Sequence, residues 1–93
     1  MIECNQGRCT LKGAVNLENA LVLREDGLRL FTEQETTLDL SAVTEVDSAA
    51  ISLLFEWRRA ALAAKRSIRF VNLPDNLTSL AKLYGVTEIV SAE

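Results

Sequence analysis

The chain has 93 residues, 48% of them hydrophobic and 25% charged, with a formal net charge of −3. That length makes one domain, able to bury roughly 60–65% of its unfolded surface, and the composition excludes intrinsic disorder. A pI near 4.9 argues against general nucleic-acid binding, which needs a basic surface.

The first thirteen residues read as two short strands joined at Asn5–Arg8, with Cys9-Thr10-Leu11 opening the second. Met1 to Gln6 lacks the charged start and apolar run of a signal peptide, so a cytoplasmic chain is expected; Cys4 and Cys9 flank the turn and so come near one another, and they are read as reduced, partly buried thiols in preference to a disulfide or a redox site. Asn16 or Asn19 can cap a helix whose apolar positions are Leu17, Leu21, Leu28 and Phe31, with Gly27 inside it or ending it early. Thr36 to Leu40 is a strand, and Ser41 to Val46 is a loop or an extension of that strand. Asp47-Ser48 starts the strongest helix, running to about Lys65. Ser67 to Val71 is the next strand. Leu73-Pro74-Asp75 ends it, Asp75 caps a helix over Asn76 to Tyr84, and Gly85 is that helix's left-handed stop. Thr87 to Val90 is a last short strand. The order ββαβαβαβ predicts an α/β domain with a mixed, mostly parallel sheet of four to five strands, flanked by three to four helices. No stretch approaches the ~20 apolar residues that would span a bilayer.

The long helix carries two apolar bands. Ala50, Leu53, Leu54, Trp57, Ala61 and Ala64 share the face expected to pack on the sheet. Ile51, Phe55 and Leu62 form a second band with Arg58 among them, bordered by Ser48, Ser52 and Arg59. That band is either covered by the first or last helix or exposed as a protein interface with a polar rim.

The candidates for chemistry are few. No histidine is present, and two thiols alone make a poor zinc site, so no metal or other cofactor is expected. Gly7, Gly13, Gly27 and Gly85 form no phosphate loop, which disfavours a small nucleotide-binding protein or hydrolase. Asp39 and Asp47 lack a nucleophile or metal partner, so both are read as structural acceptors of loop and helix amides. Lys65 and Arg66 complement a helix C-terminus, whereas Arg58 and Arg59 lie mid-helix, where arginine can anchor an interface.

Leu38-Asp39-Leu40-Ser41, followed by Val46-Asp47-Ser48-Ala49-Ala50-Ile51, resembles the STAS family of anti-sigma-factor antagonists and sulfate transporter tails, in which Asp-Leu-Ser precedes Asp-Ser-Ser-Gly-Leu. The ending Leu80-Ala81-Lys82-Leu83-Tyr84-Gly85-Val86 is similar to that of the MlaB-like branch, the STAS subunits of Mla-type lipid-transport ABC systems. The resemblance implies a non-enzymatic, regulatory subunit, bound to an MlaF-like ABC ATPase and its permease at the inner membrane, without inserting into the membrane. Its task would be phospholipid transport that maintains outer-membrane lipid asymmetry. The alternative is an antagonist of the anti-sigma type. The residue phosphorylated in those antagonists corresponds to Ala49 here, so the usual phospho-switch is not expected. The second apolar band, the small residues Ala49 and Ala50 and Ser48 at the helix start give an expected docking surface of Ser48, Ala49, Ala50, Ile51, Ser52, Phe55, Arg58 and Arg59, joined by the Asn76–Tyr84 helix, with Asp39, Asp47, Asp75 and Gly85 in structural and capping roles.

Overall fold

The computed structural model describes residues 1–86. Strands β1 (Ile2–Asn5) and β2 (Arg8–Leu11) form an antiparallel hairpin whose turn residues Gln6 and Gly7 both have positive φ, 52° and 85°. Two positive-φ residues give the mirror-image turn that matches strand twist. The register sets Cys4 opposite Cys9, and the two are joined by a disulfide. The expected pair of reduced thiols is corrected on this point. The two-residue turn fixes them as direct cross-strand partners, a placement that loop composition alone does not specify.

Beyond Leu11 the chain bends, and β3 (Gly13–Val15) leaves the main sheet. Helix α1 (Ala20–Leu30) then leads to β4 (Glu35–Asp39), followed by β5 (Val43–Val46), α2 (Ser48–Ala63), β6 (Ser67–Val71) and α3 (Asp75–Leu83). The main sheet has the order β1-β2-β4-β6, with β2, β4 and β6 parallel; β3 and β5 form a separate parallel pair. Ser41 to Val46 is therefore neither a plain loop nor a simple extension of β4. The Asp39 carboxylate accepts the Ser41 amide at 2.9 Å and turns the chain, and β5 restarts against β3. The strand expected at Thr87 to Val90 lies outside the described residues.

Side chains alternate along the sheet. Cys9, Leu11, Thr36, Leu38, Ile68 and Phe70 are buried, while Arg8, Glu35, Ser67 and Arg69 are exposed. One face therefore packs on the helices and the other meets solvent, so the domain has two layers. Trp57 of α2 sits at the centre of the core, 1% exposed. Its indole donates to the Arg24 carbonyl at 3.2 Å and meets Phe31 edge-on at 5.1 Å. The ring lies over Gly27, where an added Cβ would overlap it.

That contact decides how α1 is turned. Its buried residues are Leu23 and Gly27, while Leu17, Leu21 and Leu28 are 80%, 65% and 43% exposed. The expected apolar set thus faces outward, except for Phe31 at the helix end. On α2, Ala50, Leu53, Leu54 and Trp57 are buried, Ala61 is half-buried, and Ala64 is exposed. In the second band, Ile51 is buried, Phe55 half-buried and Leu62 exposed; α3 packs against α2, burying its own Leu77 and Ala81.

Two caps differ in kind. Asp75 is not the cap of α3: Pro74 holds that position, no side chain caps it, and Asp75 lies in the first turn, where its charge suits the helix dipole. At the other end Gly85 has φ +70°, with Gly85 N bonded to the Lys82 carbonyl and Val86 N to the Ala81 carbonyl. This is the two-bond left-handed stop that glycine permits at no steric cost.

Candidate docking groove between the first two helices

Asp47 builds the head of the site. Its Oδ1 accepts the Ala49 amide at 2.8 Å, capping α2, and its Oδ2 accepts the Leu17 amide at 3.0 Å. One carboxylate thus ties the start of α2 to the segment that leads into α1. That segment is fixed a second time. Asn16 and Asn19 exchange backbone-to-side-chain bonds at 3.0 and 3.1 Å, and the Asn19 amide group donates to the Ala14 carbonyl at 2.8 Å.

Between these helices runs a groove of about 490 Å³, with Leu17 and Leu21 on one wall, Ser48, Ala49 and Ser52 on the other, and Leu53 in its floor. Arg24 and Glu56 form a salt bridge across it at 3.2 Å. Beyond the bridge a second section of about 220 Å³ continues past Leu28 to Arg59 and Ala63. Both bridge residues line both sections, so the two make one furrow with a charged crossing. An apolar wall, small polar residues and a single ion pair suit recognition of a partner's side chains. Among the described residues, no cluster of metal-ligating side chains occurs.

The structure divides the expected surface residues into three groups. Ser48, Ala49 and Ser52 are together at the groove head, and Arg59 borders its far section. Ala50 and Ile51, at 3% and 6% exposure, belong to the core and form no surface, because their helix positions face the sheet and α3. Phe55 and Arg58 lie on the other flank of α2. Phe55 packs half-buried against the core, and the Arg58 guanidinium stacks 5.3 Å from the Phe70 ring centre. Nη2 of Arg58 is buried with no hydrogen-bond partner among the described residues.

Periodicity put Leu17 and Leu21 on the buried side of their helix and did not single out Arg24 or Glu56; all four line the groove. The available signal was the size mismatch between Gly27 and Trp57, which fixes the buried side of α1 and sends its leucines outward. Asp39 lies apart from the groove. Its carboxyl is held below the ordinary value, first by the Ser41 amide and then by the Ser41 hydroxyl; burial opposes them, and the Asn72 side chain and Arg8 add smaller lowering effects.

A family model described as Mlab, STAS domain matches residues 2–91. No curated protein matches the sequence significantly. Among solved structures, the anti-sigma factor antagonist SpoIIAA in its unphosphorylated form aligns with TM-score 0.72 and 12% identity, over 95% of this chain and 82% of that one. Mglu aligns with TM-score 0.63 and 20% identity over 81% of this chain, which spans 19% of the length of Mglu. Mglu in its native form aligns with TM-score 0.57 and 16% identity, over 74% of this chain and 22% of that one. At these identities the solved structures share the fold, and the match over residues 2–91 shows more: the chain belongs to the STAS domain family.

Proposed function

We propose that this chain is a non-catalytic accessory subunit that docks onto an MlaF-like ABC ATPase, working with its permease in phospholipid transport. It would stabilise the ATPase or set its activity through unequal affinity for the ATPase's conformations, since binding shifts an equilibrium only by that difference. Its place would be the cytoplasmic side of the inner membrane, held there by its partner. No described helix is long and apolar enough to cross a membrane. The observation that carries the reading is the groove head, where exposed Ser48 and Ser52 and half-buried Ala49 stand beside exposed Leu17 and Leu21 on a frame fixed by Asp47. Small residues let a partner's backbone approach, and the leucines supply the apolar area from which contact energy comes.

Co-purification with the candidate ATPase tests this, with thermal melting of each variant alone as the control. Ser48→Arg and Leu21→Asp are expected to abolish or strongly weaken co-purification, by about 1–3 kcal/mol or more, while melting like the unmodified chain. Full co-purification of both variants would place the interface elsewhere. The antagonist reading predicts instead a stoichiometric phosphate near the start of α2 after incubation with ATP and cell extract. Ala49, which has no hydroxyl, offers no acceptor there, and phosphate found on Ser48 would favour that alternative.

A further inference from the structure

We propose that the Cys4–Cys9 pair is a reversible thiol–disulfide exchange site, opened by attack of a small thiol such as glutathione on the Cys4 sulfur. The two cysteines are direct register partners in the β1–β2 hairpin, five residues apart in sequence. They differ sharply in access: Cys4 is exposed, whereas Cys9 is 1% exposed. An incoming thiolate can therefore reach only one of the two sulfurs.

The hairpin around the bond has other supports. The turn at Gln6 and Gly7, four register pairs, the Met1–Lys12 backbone bonds at 2.8 and 3.2 Å and the Lys12–Glu3 ion pair at 2.8 Å already define the hairpin. A crosslink closing so short a loop also removes the least chain entropy from the unfolded state. Stabilisation is mutual: a bond that adds little to the fold gains little protection from it. Exposed disulfides of this kind are the labile ones, in contrast to the deeply protected bonds of disulfide scaffolds.

The exchange balances in two steps. A thiolate RS⁻ attacks Cys4 Sγ, forming RS–S–Cys4 and releasing Cys9 as a thiolate, with one proton taken up from solvent to give the free thiol. A second thiolate attacks the mixed disulfide, giving RSSR and the Cys4 thiolate, so that one disulfide is reduced and two thiols are oxidised. In reverse, oxidised RSSR enters at Cys4. The hairpin keeps Cys9 beside it, so Cys9 resolves the mixed disulfide and closes the pair.

The test uses the full chain in buffers of graded reduced-to-oxidised glutathione ratio, quenched with acid, alkylated and read by mass spectrometry. The expected result is a reversible passage between the disulfide and the doubly alkylated dithiol, with cooperative melting in both states. Cys9→Ser should accumulate one glutathione adduct, mapped to Cys4. Cys4→Ser should leave Cys9 reacting at least about tenfold more slowly than Cys4 does in Cys9→Ser, because burial withholds it. The proposal is overturned by thiols that stay free at every ratio, by a disulfide that opens only when the chain unfolds, or by an adduct mapped to Cys9.

Discussion

Asp39 and Asp47 each accept the amide two residues on, yet the two bonds have different outcomes. After Asp39 the bond turns the chain out of one sheet and into another; after Asp47 it opens a helix. Asp47 also reaches the segment that leads into α1, through the Leu17 amide, so it couples capping to the shape of the groove. Asp39 instead couples to pH. Its carboxyl is held below the ordinary value, chiefly by the Ser41 amide, so its charged form is favoured in the folded chain. A depressed pKa contributes stability that is fully present above the unfolded value, near 3.9, and is lost as pH falls through the folded value. Asp39→Asn should therefore lower the urea midpoint at neutral pH, and that deficit should shrink progressively as pH falls below the unfolded carboxyl's value. A deficit that stays constant with pH would mean that the carboxylate's charge is not what holds the turn. Gly27 poses a steric test. Alanine there improves helix propensity by about 1 kcal/mol, yet its methyl group meets the Trp57 indole. Net destabilisation of about 1–3 kcal/mol is expected, and Trp57→Phe should relieve part of it in a double-mutant cycle.

At the scale of elements, sequence patterns locate what is local and lose what depends on a distant neighbour. The strand at Ser67–Val71, the start of α2 behind Asp47 and the stop at Gly85 were all legible, because alternation, a capping side chain and a left-handed glycine act within a few residues. The inner face of α1 was not legible. Its leucines are spaced as a buried stripe would be, but the closest approach to the core is made by Gly27, which has no side chain for a periodicity to register. The groove differs from the expected surface for the same reason: with α1 turned this way, Leu17 and Leu21 stand beside Ser48 and Ser52, while Ile51 is buried in the core. The β3–β5 pair escaped notice because each strand is short and each bend rests on one residue, Gly13 at φ +90° or the Asp39 carboxylate. The disulfide depended on strand register, which the turn geometry decides and the spacing of two cysteines does not.

For the molecule as a whole, the two-layer build separates tasks. The uncovered sheet face carries polar side chains such as Arg8, Glu35 and Arg69, and the groove lies among the helices on the opposite side. Between groove and core stands Arg24, whose side chain bridges to Glu56 and whose carbonyl accepts the indole of Trp57. Trp57 is also the single tryptophan of the chain. Indole emission responds to the hydrogen bond and to the field around the ring, so the protein carries its own optical probe one residue away from the furrow. A partner that seats between the first two helices should perturb the Arg24–Glu56 bridge, shifting or quenching Trp57 emission in a saturable titration with a tryptophan-free partner. Arg24→Ala should mute that signal more than it weakens association. A partner that binds the uncovered sheet face would leave the spectrum unchanged, so a fluorimeter alone can tell which of the two faces is occupied in solution.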